Sequence, residues 1–258
     1  MNKHPFGKTG TDVSVIGQGT WYLDQGDRKR AIAALQRGLD LGMTHIDTAE
    51  MYGDAELVIA EAIAGRRDDI FLVSKVLPSN ASRRGTITAC ERSLARLKTD
   101  RLDCYLLHWP GSHPLADTFA AFEELKAAGK ILSYGVSNFD EEQIREAASL
   151  GTVACNQVLY NLGERHVEAR VFPVCRELGI ACVGYSPFAE LPPEGEFGDA
   201  TPRQVALAFL AREAFQIPKA ERVAHVRENA ARVTLSEAQV RRLDQAYPVH
   251  VRRELPTA

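Results

Sequence analysis

The sequence lacks most of the features that would tie a chain to a membrane, a metal or a nucleic acid. No apolar run approaches the ~20 residues of a membrane span, and the opening segment MNKHPFGKTG has no apolar signal core. Formal net charge is -3 over 258 residues, too mild to argue for nucleic acid or a membrane surface as partner. The five cysteines, Cys90, Cys104, Cys155, Cys175 and Cys182, are odd in number and contain no C-x-x-C pair. They read as small buried hydrophobes in a reducing compartment, so a cytoplasmic location is expected. The seven histidines are scattered, with no H-E-x-x-H or H-x-H, and no metal site is expected. G-x-S-x-G is also missing, which argues against a serine nucleophile.

No linker or low-complexity stretch divides the chain, so residues 1–258 are expected to form one domain. Short apolar or β-branched runs alternate with helical patterns, as in VSVIGQGTW before RKRAIAALQRGLDLG and LDCYLLHW before LADTFAAFEELKAAG. Eight such units can be counted, ending with AFQIPKA before RVAHVRENAARV. Strands that alternate with helices pair in parallel through crossover helices. Eight units within ~250 residues predict an α/β fold, a single (β/α)8 TIM barrel. Gly38, Gly42 and Gly129 stand where helix C-termini are expected. Asp140 with Gln143, Thr201 with Gln204, and Ser236 with Gln239 have capping-box spacing, and Pro202 fits a first helical position. The opening PFGKTGTDVSV reads as a short N-terminal β-hairpin at the barrel floor.

Three consecutive predicted strands each deliver ionisable residues at or beyond their C-terminal ends. HIDTAEMY carries Asp47 and Tyr52, FLVSK ends in Lys75, and LDCYLLHW carries His108. In a parallel barrel those ends converge on one rim. A free phenol has a pKa of about 10 and is a weak acid at neutral pH. A neighbouring ammonium lowers that value, and a carboxylate keeps the ammonium charged. Tyr52 is thus expected to donate a proton, activated by Lys75 with Asp47 as its partner, while His108 orients a carbonyl oxygen. Each residue alone has a structural reading as a cap, a solvated lysine or a packed ring. Four complementary residues on adjacent strand ends point to carbonyl reduction. The two tryptophans, Trp21 and Trp109, fall on the same rim and suit apolar or aromatic aldehydes and ketones.

The motifs IDTAEMYG, LVSK, LLHWP, GVSNF, NQVLY, GYSPF and IPKA…RENA, in this order, resemble those of the aldo-keto reductases, over the stretch from Phe6 to about Tyr247. The resemblance implies an NADPH-dependent reductase on a (β/α)8 barrel, with NADH possible. Asp47, Tyr52, Lys75 and His108 then match the catalytic tetrad. Ser137, Asn138 and Gln157 match nicotinamide carboxamide contacts, and Tyr185, next to Ser186, matches the ring stacked under the nicotinamide. Lys219 matches the lysine that meets the ribose 2′-phosphate, and Glu228 and Asn229 match adenine contacts. Two positions depart from the pattern: Ala220 replaces a phosphate-binding serine, and His225 replaces an arginine, with Arg222 close enough to compensate. The stretch between Pro187 and Thr201 is short, which predicts a reduced strap over the cofactor and weaker binding. The short polar tail VHVRRELPTA predicts an open pocket and a broad range of small carbonyl substrates, and a monomer is expected. The alternatives are a cofactor-binding regulatory or weakly active reductase-like protein, and a barrel enzyme that uses Lys75 as a Schiff base.

Overall fold

The computed structural model describes residues 1–251 and residue 255; most of the C-terminal tail behind the open-pocket expectation, 252–254 and 256–258, lies outside the described residues. The chain starts with an antiparallel hairpin, β1 (Lys3–Pro5) and β2 (Asp12–Ser14), paired in the register His4 to Val13. Eight strands follow: β3 (Gln18–Gly19), β4 (His45–Asp47), β5 (Phe71–Val76), β6 (Leu102–Leu107), β7 (Ile131–Ser137), β8 (Val153–Leu159), β9 (Ala181–Tyr185) and β10 (Phe215–Gln216). Each pairs in parallel with the next, in chain order. Parallel bridges from Ile16 to Gln216 and from Gly19 to Lys219 join the first strand region to the last. Gly17 N donates to Gln216 O at 2.8 Å and Gly19 N to Pro218 O at 3.1 Å, which closes the sheet into a barrel.

Eight helices alternate with these strands around the outside: α1 (Arg28–Asp40), α2 (Ala55–Ala62), α3 (Arg83–Leu97), α4 (Leu115–Ala127), α5 (Glu141–Leu150), α6 (Val171–Leu178), α7 (Pro202–Leu210) and α8 (Val223–Ala230). A further helix, α9 (Glu237–Ala246), follows. The three expected capping boxes are formed at Asp140, Thr201 and Ser236, each satisfying helix N-terminal amides that would otherwise lack partners.

Strand parity decides which side chains reach the barrel interior, because successive residues on a strand face opposite sides. On β5, Leu72 and Val76 pack in the layer between sheet and helices, while Phe71 and Val73 pack inside the barrel. Lys75 has the inward parity of Phe71 and Val73. On β6, Tyr105 and Leu107 face the helices and Cys104 and Leu106 face inward; His108 follows with inward parity. On β4, Ile46 lies in the helix-facing layer, and His45 and Asp47 have the opposite parity. The apolar runs thus build both layers of core and also aim three polar groups at one end of the lumen.

The hairpin plugs the other end. Phe6 is fully buried, with its ring 4.7 Å from Phe71, 5.1 Å from Phe215 and 5.8 Å from His45. Gly7 follows with a φ of 55°, and a Cβ there would lie 2.2 Å from Ala154 O, so the turn needs glycine. All five cysteines are buried with free thiols.

Candidate active site

At the C-terminal ends of the strands lies a cavity of about 700 Å³. Asp47, Tyr52 and His108 line it, and Lys75 lies fully buried against them. Lys75 Nζ donates to Asp47 Oδ1 at 2.5 Å and to Thr48 O at 2.9 Å. The second carboxylate oxygen, Asp47 Oδ2, accepts from Gln157 Nε2 at 2.7 Å. The ammonium lies 5.1 Å from the centre of the Tyr52 ring, and the Tyr52 and His108 rings meet edge to face at 5.7 Å.

The loop that carries Tyr52 is tied down on its outer side. Glu50 Oε1 accepts from Leu77 N at 2.7 Å and from Asn80 Nδ2 at 3.0 Å, and Glu50 Oε2 pairs with Arg92 at 2.9 Å. Arg96, on α3, donates to Gly53 O at 2.5 Å and to Asp54 Oδ1 at 3.1 Å, and pairs with the buried Glu56 at 3.0 Å. Glu56 in turn accepts from Ser74 Oγ at 3.0 Å, the residue next to Lys75. The phenol and the ammonium are held by one connected frame.

The electrostatics depart from the sequence expectation at one point. Burial pushes the Tyr52 phenol above its usual value, and the lowering effect of Lys75 does not overcome it. The expected net lowering is therefore not found: desolvation of a phenolate outweighs one nearby ammonium. Burial works against the Lys75 ammonium, yet Asp47 and Tyr52 together hold it above its ordinary value. His108 is pushed down to about 2, first by burial and then by the Lys75 charge, so its ring is neutral at physiological pH.

A family model described as the aldo/keto reductase family matches residues 15–190, more than half of the chain. The chain belongs to the aldo/keto reductase family. Methylglyoxal reductase YeaE of Escherichia coli (strain K12) is 45% identical over 263 residues, covering 92% of this chain and 93% of the relative. The NADH-specific methylglyoxal reductase of the same organism is 30% identical and covers 74% of this chain and 68% of its own length. An aldo/keto reductase of Klebsiella pneumoniae, solved in complex with NADP and acetate, superposes with a TM-score of 0.91 at 40% identity, with 99% of each chain covered. As an aldo/keto reductase this chain is an oxidoreductase of carbonyl groups.

Most of the residues that the sequence singled out meet at this aldo/keto reductase cavity. Trp21, Trp109, Ser137, Asn138, Gln157, Tyr185, Ser186 and Lys219 line it with Asp47, Tyr52 and His108. Several are bonded to one another. Asn138, at a φ of 60°, donates from Nδ2 to His108 O and Ser137 Oγ, both at 3.1 Å, and accepts from Tyr185 Oη at 2.9 Å. Ser137 Oγ donates to Gln157 O at 2.9 Å.

Ala220, His225, Glu228 and Asn229 do not line the cavity. They follow Lys219 on the approach to α8 and along it. Glu228 accepts from Thr201 Oγ1 at 2.6 Å. Asn229 is 2% exposed, and both its amide atoms lack a hydrogen-bond partner among the described residues. Buried polar atoms are costly to leave unpaired.

The sequence reading missed Met51, Pro110 and Phe188, which also line the cavity. All three lie inside quoted motifs, Met51 in IDTAEMYG, Pro110 in LLHWP and Phe188 in GYSPF, but nothing in an apolar residue of a motif shows that it turns toward a pocket. Phe188 lies under the Arg203 guanidinium, 4.9 Å from its ring centre. Among the described residues no helix is long and apolar enough to cross a membrane.

Proposed function

We propose that the protein is an NADPH-dependent reductase of small aldehydes and ketones, with Tyr52 as the proton donor, and that residues 1–258 work as one catalytic barrel. The supporting observation is the stacked order of groups at the cavity floor. A phenol and a neutral imidazole border the open space, and behind them lies an ammonium whose carboxylate partner is itself held by Gln157.

Tyr52 Oη gives its proton to the carbonyl oxygen. Its raised pKa keeps the phenol protonated at neutral pH, so the proton leaves only as charge develops on the substrate oxygen. The phenolate left behind is stabilised by the Lys75 ammonium, already ordered against Asp47 and Thr48; such preorganised charge needs no reorganisation during reaction. His108, being neutral, orients the carbonyl through hydrogen bonding without competing as an acid. Trp21, Trp109, Met51 and Phe188 exclude water around the reacting centre.

When bound, the reduced nicotinamide supplies the hydride to the carbonyl carbon. The residues present fit such a group. The Asn229 amide, without a partner among the described residues, and the carboxylate of Glu228 suit an adenine edge, and the Lys219 ammonium suits a phosphate. Ser137, Asn138 and Gln157 offer amides and a hydroxyl to a carboxamide. Tyr185, with Ser186 beside it, offers a ring face. Ala220 lies on the approach to α8 and His225 in its first turn. NADH is the second cofactor this reading allows. A small α-oxoaldehyde heads the substrate list, because a 45% identical relative is named a methylglyoxal reductase.

The test is loss of reduced-nicotinamide absorbance with methylglyoxal and a panel of aromatic and aliphatic aldehydes. Native protein should turn over, and Tyr52→Phe should lose roughly 10²- to 10⁴-fold in kcat, the usual contribution of a positioned acid. Native protein that binds NADPH without turnover would overturn the reading in favour of a regulatory, cofactor-binding protein.

A further inference from the structure

One ion pair at the cavity has no role in proton transfer. Lys219 Nζ lies 3.2 Å from Glu221 Oε2. Lys219 is the one cationic side chain among the described residues that line the cavity; Asp47, the other formally charged lining residue, is bonded to Lys75 and Gln157. The Glu221 carboxylate is also held close to the loop after β3. It sits against Gly26, where an added methyl group would meet Glu221 Oε2 at 2.7 Å. An acid therefore faces the cation that a phosphate would need. Ala220, between the two, brings no hydroxyl to compensate.

We infer that Glu221 is a cofactor-specificity residue: by holding Lys219 partly neutralised, it lowers the protein's preference for a dinucleotide with a 2′-phosphate over one with a free ribose diol. The inference rests on the proposed function, since it takes Lys219 as the group that meets the phosphate. A dianionic phosphate placed on Lys219 must either share the ammonium with Glu221 or displace it, and like charges brought together cost affinity. A ribose diol carries no charge, and its hydroxyls can donate to a carboxylate. Glu221 thus penalises one cofactor and spares the other.

The size of the effect is bounded on two sides. Both side chains are about a third exposed, at 34% and 30%, so solvent screens the pair. Arg30 and Arg222 also attract the Glu221 carboxylate, so losing Lys219 does not leave it without partners. The expected penalty is roughly threefold to tenfold in affinity, the range of a screened surface interaction.

The experiment measures dissociation constants for NADPH and NADH by quenching of protein fluorescence, for native protein, Glu221→Gln and Lys219→Met. Glu221→Gln should tighten NADPH by about threefold to tenfold and leave NADH unchanged, with the gain shrinking as salt is raised. No change for NADPH, or equal tightening of both cofactors, overturns the inference. Lys219→Met separates the two levels. If it abolishes the NADPH preference while Glu221→Gln does nothing, the phosphate reading stands and the Glu221 inference falls. If Lys219→Met leaves the NADPH to NADH ratio unaltered, the phosphate does not meet Lys219 and both fall.

Discussion

His45 sets an acid limit on the stability of the barrel. It is fully buried on the floor, its ring 5.8 Å from Phe6, 5.7 Å from Phe71 and 6.5 Å from Phe215. Neither ring nitrogen has a partner among the described residues. Burial lowers its pKa from 6.5 to about 4; Asp47 opposes that effect in part and Lys75 adds to it. The unfolded chain therefore binds a proton at this residue that the folded chain refuses, and stability falls as pH drops below 6.5 toward 4. The full difference is about 3 kcal/mol, and at pH 5 about 2 kcal/mol of it has been lost. A chain of this size has an unfolding entropy of roughly 0.5 kcal/mol/K, so the effect is about 4 °C in Tm. The assay is thermal and denaturant unfolding at pH 7 and pH 5 for native protein and His45→Leu. Whatever the leucine does to absolute stability, its loss between the two pH values should be smaller by about 2 kcal/mol. Every other titrating group contributes alike to both proteins. Parallel profiles would refute the reasoning and show that His45 protonates without opening the floor.

Two further outcomes follow from the site. Asp47→Asn leaves the Lys75 ammonium buried without its counter-charge and should cost about 3–5 kcal/mol by denaturant unfolding at pH 7. In native protein Lys75 is held above its ordinary 10.5, so its contribution is lost only as pH rises above that value. In the variant burial governs and the sign reverses, so the deficit should narrow between pH 7 and pH 10; a pH-independent deficit would contradict this. Arg96→Leu frees Gly53 O, Asp54 and Glu56, and the Tyr52 loop with them. A small misplacement of a reacting group is costly, so kcat should fall roughly tenfold or more with the KM for NADPH unchanged and partial rescue in Arg96→Lys; a change in KM alone would count against it.

The barrel was legible because its code is local. Apolar runs with turn chemistry between them, and three capping boxes, mark the elements without reference to anything distant. The convergence of Asp47, Lys75 and His108 was legible for the same reason: inward parity at strand ends is a property of each strand alone. What the sequence hid are pairings that only closure creates. Gln157 reaches Asp47 across 110 residues of chain, and no spacing rule reports such a contact. The Tyr52 shift depends on how much water burial removes, which is a property of the assembled cavity. Glu221 was within two residues of Lys219 and still passed unread, because a neighbouring carboxylate becomes a constraint only when both side chains turn to the same place.

The reaction proposed for this cavity joins a hydride to a carbonyl carbon and a Tyr52 proton to its oxygen. The most direct measurement follows deuterium from C4-deuterated NADPH into the alcohol product of methylglyoxal or benzaldehyde, for native protein and Tyr52→Phe. One deuterium is expected on the former carbonyl carbon with native protein, and almost no labelled alcohol from a folded, NADPH-binding Tyr52→Phe. Labelled alcohol formed at the native rate by the variant, or no label in the native product, would contradict that reaction.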